Sequence, residues 1–195
     1  MLFRSIAAGA RIVTALQSIA AQNVNPLEAA VVGVTMFHAG TASNIIPEQA
    51  ELQGTIRFFS RDMWTLLCER LTRITLDTAS ASGCRVELKL LESTPPLIND
   101  AFAAKAAQTA LKEILPDAKL LTDYRTMGSE DMAYFLEQVP GVFIFVGSGS
   151  AGNHSAYPHH HPCFDIDENV LASASALLLQ TAYELQHTAA TEKAP

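Results

Sequence analysis

Residues 60–91, SRDMWTLLCERLTRITLDTASASGCRVELKLL, hold two hydrophobic periods end to end. In the first part Met63, Leu67, Leu71 and Ile74 recur at helical spacing and share one face. Ser60 stands where an N-cap is wanted, and Gly83 where a helix ends by turning left-handed. In the second part the period drops to two, with Val86, Leu88 and Leu90 alternating against Arg85, Glu87 and Lys89. A helix running into a half-buried strand is predicted.

Upstream of this pair, AAVVGVTMF and AELQGTIRFF are β-branched or aromatic runs separated by the loop sequence HAGTASNIIPEQ, and an antiparallel pairing is expected. Leu52, Thr55 or Ile56, and Phe58 are the burial candidates of the second run. Before them lies a helix expected over about residues 5–22, with Ile6, Val13, Leu16 and Ile19 on its apolar face, closed by a turn at Asn25 and Pro26. The order helix, strand, strand, helix, strand is a β-α-β-β-α-β unit without its opening strand. The chain is expected to begin inside a domain.

Downstream of STPP a helix is expected from Asp100 to Leu115 and a short strand over residues 119–124. MGSEDMAYFLEQ reads as a short helix capped by Ser129, PGVFIFVG as a strand of the buried type, and Asp167 as the cap of a last helix. That helix would bury Val170, Ala174, Leu178, Thr181 and Leu185. The fold class is α/β, with a first domain over residues 1–95 and a second over 96–195.

Composition narrows the function. Hydrophobic residues make up 49% of the 195 and charged ones 17%, which excludes intrinsic disorder. Thirteen basic against 20 acidic residues give a net charge of -7, so no footprint for nucleic acid or for an anionic membrane is present. Cys68, Cys84 and Cys163 form no close-spaced set and read as unbridged thiols of a reducing compartment, the cytoplasm. Arg11 splits the N-terminal apolar stretch, which argues for a half-buried helix over a secretory signal.

Chemistry has three candidate seats. His154, His159, His160 and His161 cluster in the loop before the last helix, as a metal site or as an exposed polar loop. Consecutive side chains point in different directions, so the triplet offers one ion one or two ligands at most. Glu130 and Asp131, after Gly128 and Ser129, suit the positive end of a helix dipole and need no further role. Asn44, in the loop over residues 40–47, and Arg57, on the following strand, are a possible carboxylate clamp, or else a turn asparagine and a solvated arginine. No nucleophile elbow, phosphate loop, HExxH helix or dinucleotide fingerprint is present.

Three blocks in one order, AGTASNIIPEQAELQGTIRFF, MGSEDMAYFLEQVPGVFIFVGSG and HHPCFDIDENVL, together resemble the M20 family of metal-dependent amidohydrolases and peptidases. The likeness is to the branch of aminoacylases, hippurate hydrolases and indole-acetyl-amino-acid hydrolases. It implies that residues 1–95 are a ferredoxin-like lid and dimerisation domain lacking its first strand, and that 96–195 are the C-terminal part of a catalytic domain. It further implies hydrolysis of N-acyl amino acids or related amides with a divalent metal, zinc or manganese, held largely by residues of an N-terminal half that this sequence lacks. The family's last metal ligand falls on His160, with His159 and His161 leaving the register open. Asn44 and Arg57 match lid positions that approach the substrate's carboxylate, often in the partner subunit's site. Ser129, Glu130 and Asp131 match residues of the active-site wall, and no catalytic residue is carried over. The expected product is a homodimer through the lid, inactive alone as a fragment, or else a non-catalytic dimerisation or small-molecule-binding module derived from such an enzyme.

Overall fold

The computed structural model describes residues 4–91, 94–149 and 157–191. The chain forms two compact units, one of residues 1–96 together with 126–129, the other of residues 97–125 and 130–195.

In the first unit the helix α3, Arg61–Ala81, forms as expected because both of its ends are closed by local chemistry. The Ser60 hydroxyl accepts the Met63 N–H at 3.2 Å. At the other end the Cys84 N–H donates to the Ala79 carbonyl and the Gly83 N–H to Ser80, both at 2.9 Å, around Gly83 at φ 65°. This 6→1 and 5→2 pair is the Schellman closure. Met63, Leu67, Leu71, Thr75 and Ala79 are buried along one stripe, and Leu67 is fully enclosed.

The expected N-terminal helix is two helices, α1 (Ser5–Leu16) and α2 (Ser18–Asn23), parted at Gln17. At the break the Ser18 hydroxyl donates to the Ala15 carbonyl at 2.7 Å, a local bond that competes with the helical ladder. The buried face is Ala8, Gly9, Ile12 and Leu16, continued by a fully enclosed Ile19, whereas Ile6 is 45% exposed. Ile6 therefore leaves the expected face and Ile12 takes its place.

Strands β1 (Val31–His38) and β2 (Glu51–Arg57) pair antiparallel, with a bulge between Val34 and Met36. The bulge changes the parity of β1. Val32 faces Ile56 and Val34 faces Gly54, but beyond the extra residue it is Phe37, an odd position, that faces Leu52. The Phe37 ring then lies against α1 at Gly9, where a Cβ would come within 2.7 Å of its Cζ. A Cβ on Gly54 would run into the Gly33 carbonyl.

Residues 85–90 depart from expectation in one respect. Val86, Leu88 and Leu90 pack against the core of Ile12, Leu16, Leu67 and Leu71, and Arg85, Glu87 and Lys89 are exposed, so the period of two is real. Yet the segment is not part of a ladder, and the sheet among the described residues has two strands. Side-chain alternation needs only an apolar floor, whereas a ladder also needs a neighbouring backbone.

The second unit is built on α4 (Ala101–Ile114) packed against α6 (Val170–Thr191). Asp100 caps α4 through a 2.9 Å bond from the Ala103 N–H. Asn99 brackets Phe143 with its carboxamide, donating to its carbonyl at 3.0 Å and accepting its N–H at 2.8 Å. Neither strand expected in this unit forms among the described residues. Residues 119–124 are exposed throughout, and at the end of the apolar run Phe145 and Val146 are 56% and 41% exposed. Tyr124, Phe143 and Phe145 stack edge to face instead, at 5.3 and 5.0 Å.

The short helix α5, Met132–Leu136, starts after Asp131, which makes no side-chain cap bond. Ser129 is thus not its cap, and the Glu130 carboxylate accepts the Met132 N–H at 3.4 Å instead. Asp167 shapes the turn ahead of α6 by accepting the Asn169 N–H at 3.0 Å. On α6 the buried positions are Leu177 and Thr181, while Leu178 is 65% exposed. Around the helix axis Leu177 lies about 60° to one side of Ala174 and Leu178 about 40° to the other, and Thr181, about 20° to the first side, marks that flank as the inward one. No helix among the described residues is long and apolar enough to cross a membrane, and Cys68, Cys84 and Cys163 form no disulfide.

Candidate functional site

The histidine block consists of two turns in series. The His161 N–H donates to the Pro158 carbonyl at 3.1 Å, closing a turn over His159 and His160. The Phe164 N–H then donates to the His161 carbonyl at 2.9 Å, closing a second turn over Pro162 and Cys163. His160, third residue of the first turn, has φ 68° and is the one non-glycine residue with positive φ among those described. That conformation costs a residue with a β-carbon about 1–2 kcal/mol. It is what the third position of a type II turn demands.

The backbone thereby gives three adjacent imidazoles three surroundings. His159 packs edge-on to Phe164, with centroids 4.9 Å apart at 87°. His161 stacks on Tyr157 at 4.2 Å and 8°, and its Nδ1 accepts the Cys163 N–H at 3.1 Å. His160 is exposed and engaged by no described side chain. His154, the fourth member of the cluster in sequence, lies outside the described residues.

Three or four placed ligands make a tight divalent-metal site. Among the described residues no three His, Cys, Asp or Glu side chains converge on one point. The chain's described residues fit a single imidazole ligand and not a complete centre, so no catalytic step is assigned to a metal on them.

Arg57 closes β2, in register with Val31, and its Nη1 donates to the Met127 carbonyl at 2.6 Å. One of the guanidinium's five donors is thus committed to backbone, and the residue is exposed. Asn44 lies in the loop that joins the strands at His38 and Glu51, the end of the hairpin away from Arg57. Seven residues of strand span roughly 20 Å. The hairpin therefore holds the two expected carboxylate ligands at opposite ends of β2.

The Asn44 loop is anchored by the Ser5 hydroxyl, which donates to the Pro47 carbonyl at 2.6 Å, and by Gly40 at φ 75° beneath the Pro47 ring. It wraps a shallow depression lined by Gly40, Thr41, Ala42, Ile45, Pro47, Glu48 and Gln49. The charge on that lining is the carboxylate of Glu48, the wrong sign for an acidic substrate group. Asn44 itself is exposed.

Ser129, Glu130 and Asp131 follow the tethered carbonyl of Met127, and Glu130 is half-buried. Two working contacts carry no side-chain signature in the sequence. The acceptor at Met127 is a main-chain atom, and so are both partners of Asn99. The role of His161 was legible in principle, since a side-chain acceptor before proline is a turn signal.

The sequence profile of peptidase family M20/M25/M40 matches residues 6–184. The N-acetylcysteine deacetylase of Bacillus subtilis (strain 168) is 32% identical over 177 residues, covering 91% of this chain and 45% of the deacetylase. Thermostable carboxypeptidase 2 of Saccharolobus solfataricus is 31% identical over 172 residues, covering 86% and 43%. Among solved structures, a dinuclear metal-binding peptidase of the M20 family from Bacillus subtilis superposes with a TM-score of 0.77 at 30% identity, over 92% of this chain and 46% of that one. The chain spans a little under half the length of each of these proteins.

Proposed function

The chain belongs to peptidase family M20/M25/M40, and from that premise we propose that it forms part of a metal-dependent amidohydrolase acting on N-acyl amino acids or related amides. The observation that carries the reading is His160, an exposed imidazole held left-handed at the head of HHPCFD, in a block where its two neighbours are otherwise occupied. In this reading His160 is the one ligand the chain brings to a divalent ion, zinc or manganese. The named relatives support the chemistry: a deacetylase removes an acyl group from an amine, and a carboxypeptidase cleaves an amide next to a free carboxylate.

Residues 1–95 serve as a ferredoxin-like lid and dimerisation domain, and residues 96–195 as the C-terminal portion of the catalytic domain. Arg57 and Asn44 bind the substrate's carboxylate end. Both belong to the first unit, and in this reading they approach the carboxylate in the partner's site of a homodimer. With a single candidate imidazole ligand and no cluster of three metal-ligating side chains among the described residues, the chain alone is expected to be inactive. Unbridged cysteines support a cytoplasmic setting.

One observation favours a second reading, a non-catalytic dimerisation or small-molecule-binding module derived from such an enzyme: the described residues assemble no three-ligand cluster. Sedimentation at tens of micromolar, a rough concentration for weak interfaces, tests the shared expectation of a dimer, which a strictly monomeric species would overturn. Calorimetric titration with zinc tests the first reading. Weak binding that His160→Ala abolishes and His159→Ala preserves is expected. Binding indifferent to His160→Ala would remove its foundation. Turnover of N-acetyl amino acids by the metal-loaded chain, abolished by a chelator, would overturn the expected inactivity.

A further inference from the structure

We propose that His161 is a positioning residue, the side-chain arm of an asparagine-like turn that holds His160 in its left-handed conformation. The bond from the Cys163 N–H to the His161 Nδ1, at 3.1 Å, spans two residues. That is the pattern by which asparagine and aspartate fold the backbone ahead of them. Nδ1 of histidine and Oδ1 of asparagine are each three bonds from Cα, so the imidazole reaches the same point. The residue between is Pro162, which has no N–H to compete and a fixed φ. His161 also closes both neighbouring turns through its own N–H and carbonyl, and Tyr157 stacks on its ring to set the plane.

The chemistry of the ring follows. An Nδ1 that accepts an N–H must carry its lone pair there, so the neutral ring holds its proton on Nε2. Neither nitrogen then offers a lone pair to an outside ligand without breaking the turn. His161 thus supports its neighbour and does not compete with it. The turn stands on the geometry of residues 157–164; its weight for function rests on the reading of His160 as the ligand-bearing residue.

The test uses the full chain labelled with 15N-histidine, and the variants His161→Asn and His161→Leu. Long-range 1H–15N correlation is expected to show the Nε2–H form for His161. The HN–Hα coupling and Cα shift of His160 report its φ. These are expected to persist in His161→Asn and to shift toward ordinary φ in His161→Leu, with on the order of a tenfold loss of the left-handed population, as one net hydrogen bond predicts. A merely space-filling ring would be rescued by neither variant. An Nδ1–H form in the parent, or equal behaviour of the two variants, would overturn the proposal. Zinc titration of His160→Ala judges the other reading separately: retained binding there would overturn the role of His160 while the turn results stand on their own.

Discussion

The Arg57 guanidinium and the Met127 carbonyl lie 70 residues apart in sequence and 2.6 Å apart in space. A strand-end arginine is thereby a strut for residues 126–129, the stretch that leads into Ser129, Glu130 and Asp131. Arg57→Ala should free that stretch. Amide exchange at Gly128 and Ser129 is expected to speed several-fold, with a global loss of about 1 kcal/mol or less, as for an exposed charged donor. Unchanged exchange at both amides would show the strut to be idle.

Gly54 and Gly33 make a matched pair of probes. A Cβ at Gly54 meets the Gly33 carbonyl, whereas one at Gly33 meets nothing within 4 Å. Gly54→Ala should cost about 1–3 kcal/mol, the range for overpacking. Gly33→Ala should be neutral or stabilising by about 0.5 kcal/mol through the unfolded chain. Urea midpoints measure both, and the reverse order would contradict the bulged register.

Thr75 sits on the buried stripe of α3 with its hydroxyl unpartnered among the described residues. Thr75→Val keeps the shape and removes the orphaned oxygen. It should stabilise the first unit by roughly 1 kcal/mol, since an unsatisfied buried hydroxyl carries a desolvation penalty of that order. A clear loss of stability in thermal or urea unfolding would mean the hydroxyl has a partner after all.

Asn99 does for Phe143 what a neighbouring strand would do, with one donor and one acceptor. Asn99→Asp keeps the acceptor and loses the donor; Asn99→Ala loses both. Losses of about 1 and 2 kcal/mol are expected, at about 1 kcal/mol per bond. Exchange at the Phe143 amide should accelerate in the alanine variant and stay slow in the aspartate. If both variants protect that amide equally, the bracket contributes nothing.

What was readable in advance was local. The cap at Ser60, the exit at Gly83 and the alternation through residues 85–90 depend on neighbours within a few residues, and the structure bears each of them out. Residues 119–124 and the run of Phe143 and Phe145 have strand composition, but a strand is a property of a pair, and each lacks its ladder among the described residues. The histidines divide the same way. Their spacing marks a site, while the choice among His159, His160 and His161 waits on a φ of 68° and a main-chain bond to Nδ1, neither of which composition encodes.

The bulge in β1 gives this hairpin one place where its length can change without moving the core. Single replacements at Thr35, whose side chain is exposed, leave every later residue on its own side. Deleting it would erase the bulge and leave a plain ladder, with Met36 still opposite Gln53 and Phe37 still opposite Leu52 on the face of Val34. Deep mutational libraries over residues 31–38 should accordingly accept single-residue deletions at residues 35–36 more readily than at residues 32–33, where a loss would put a core valine on the outer face.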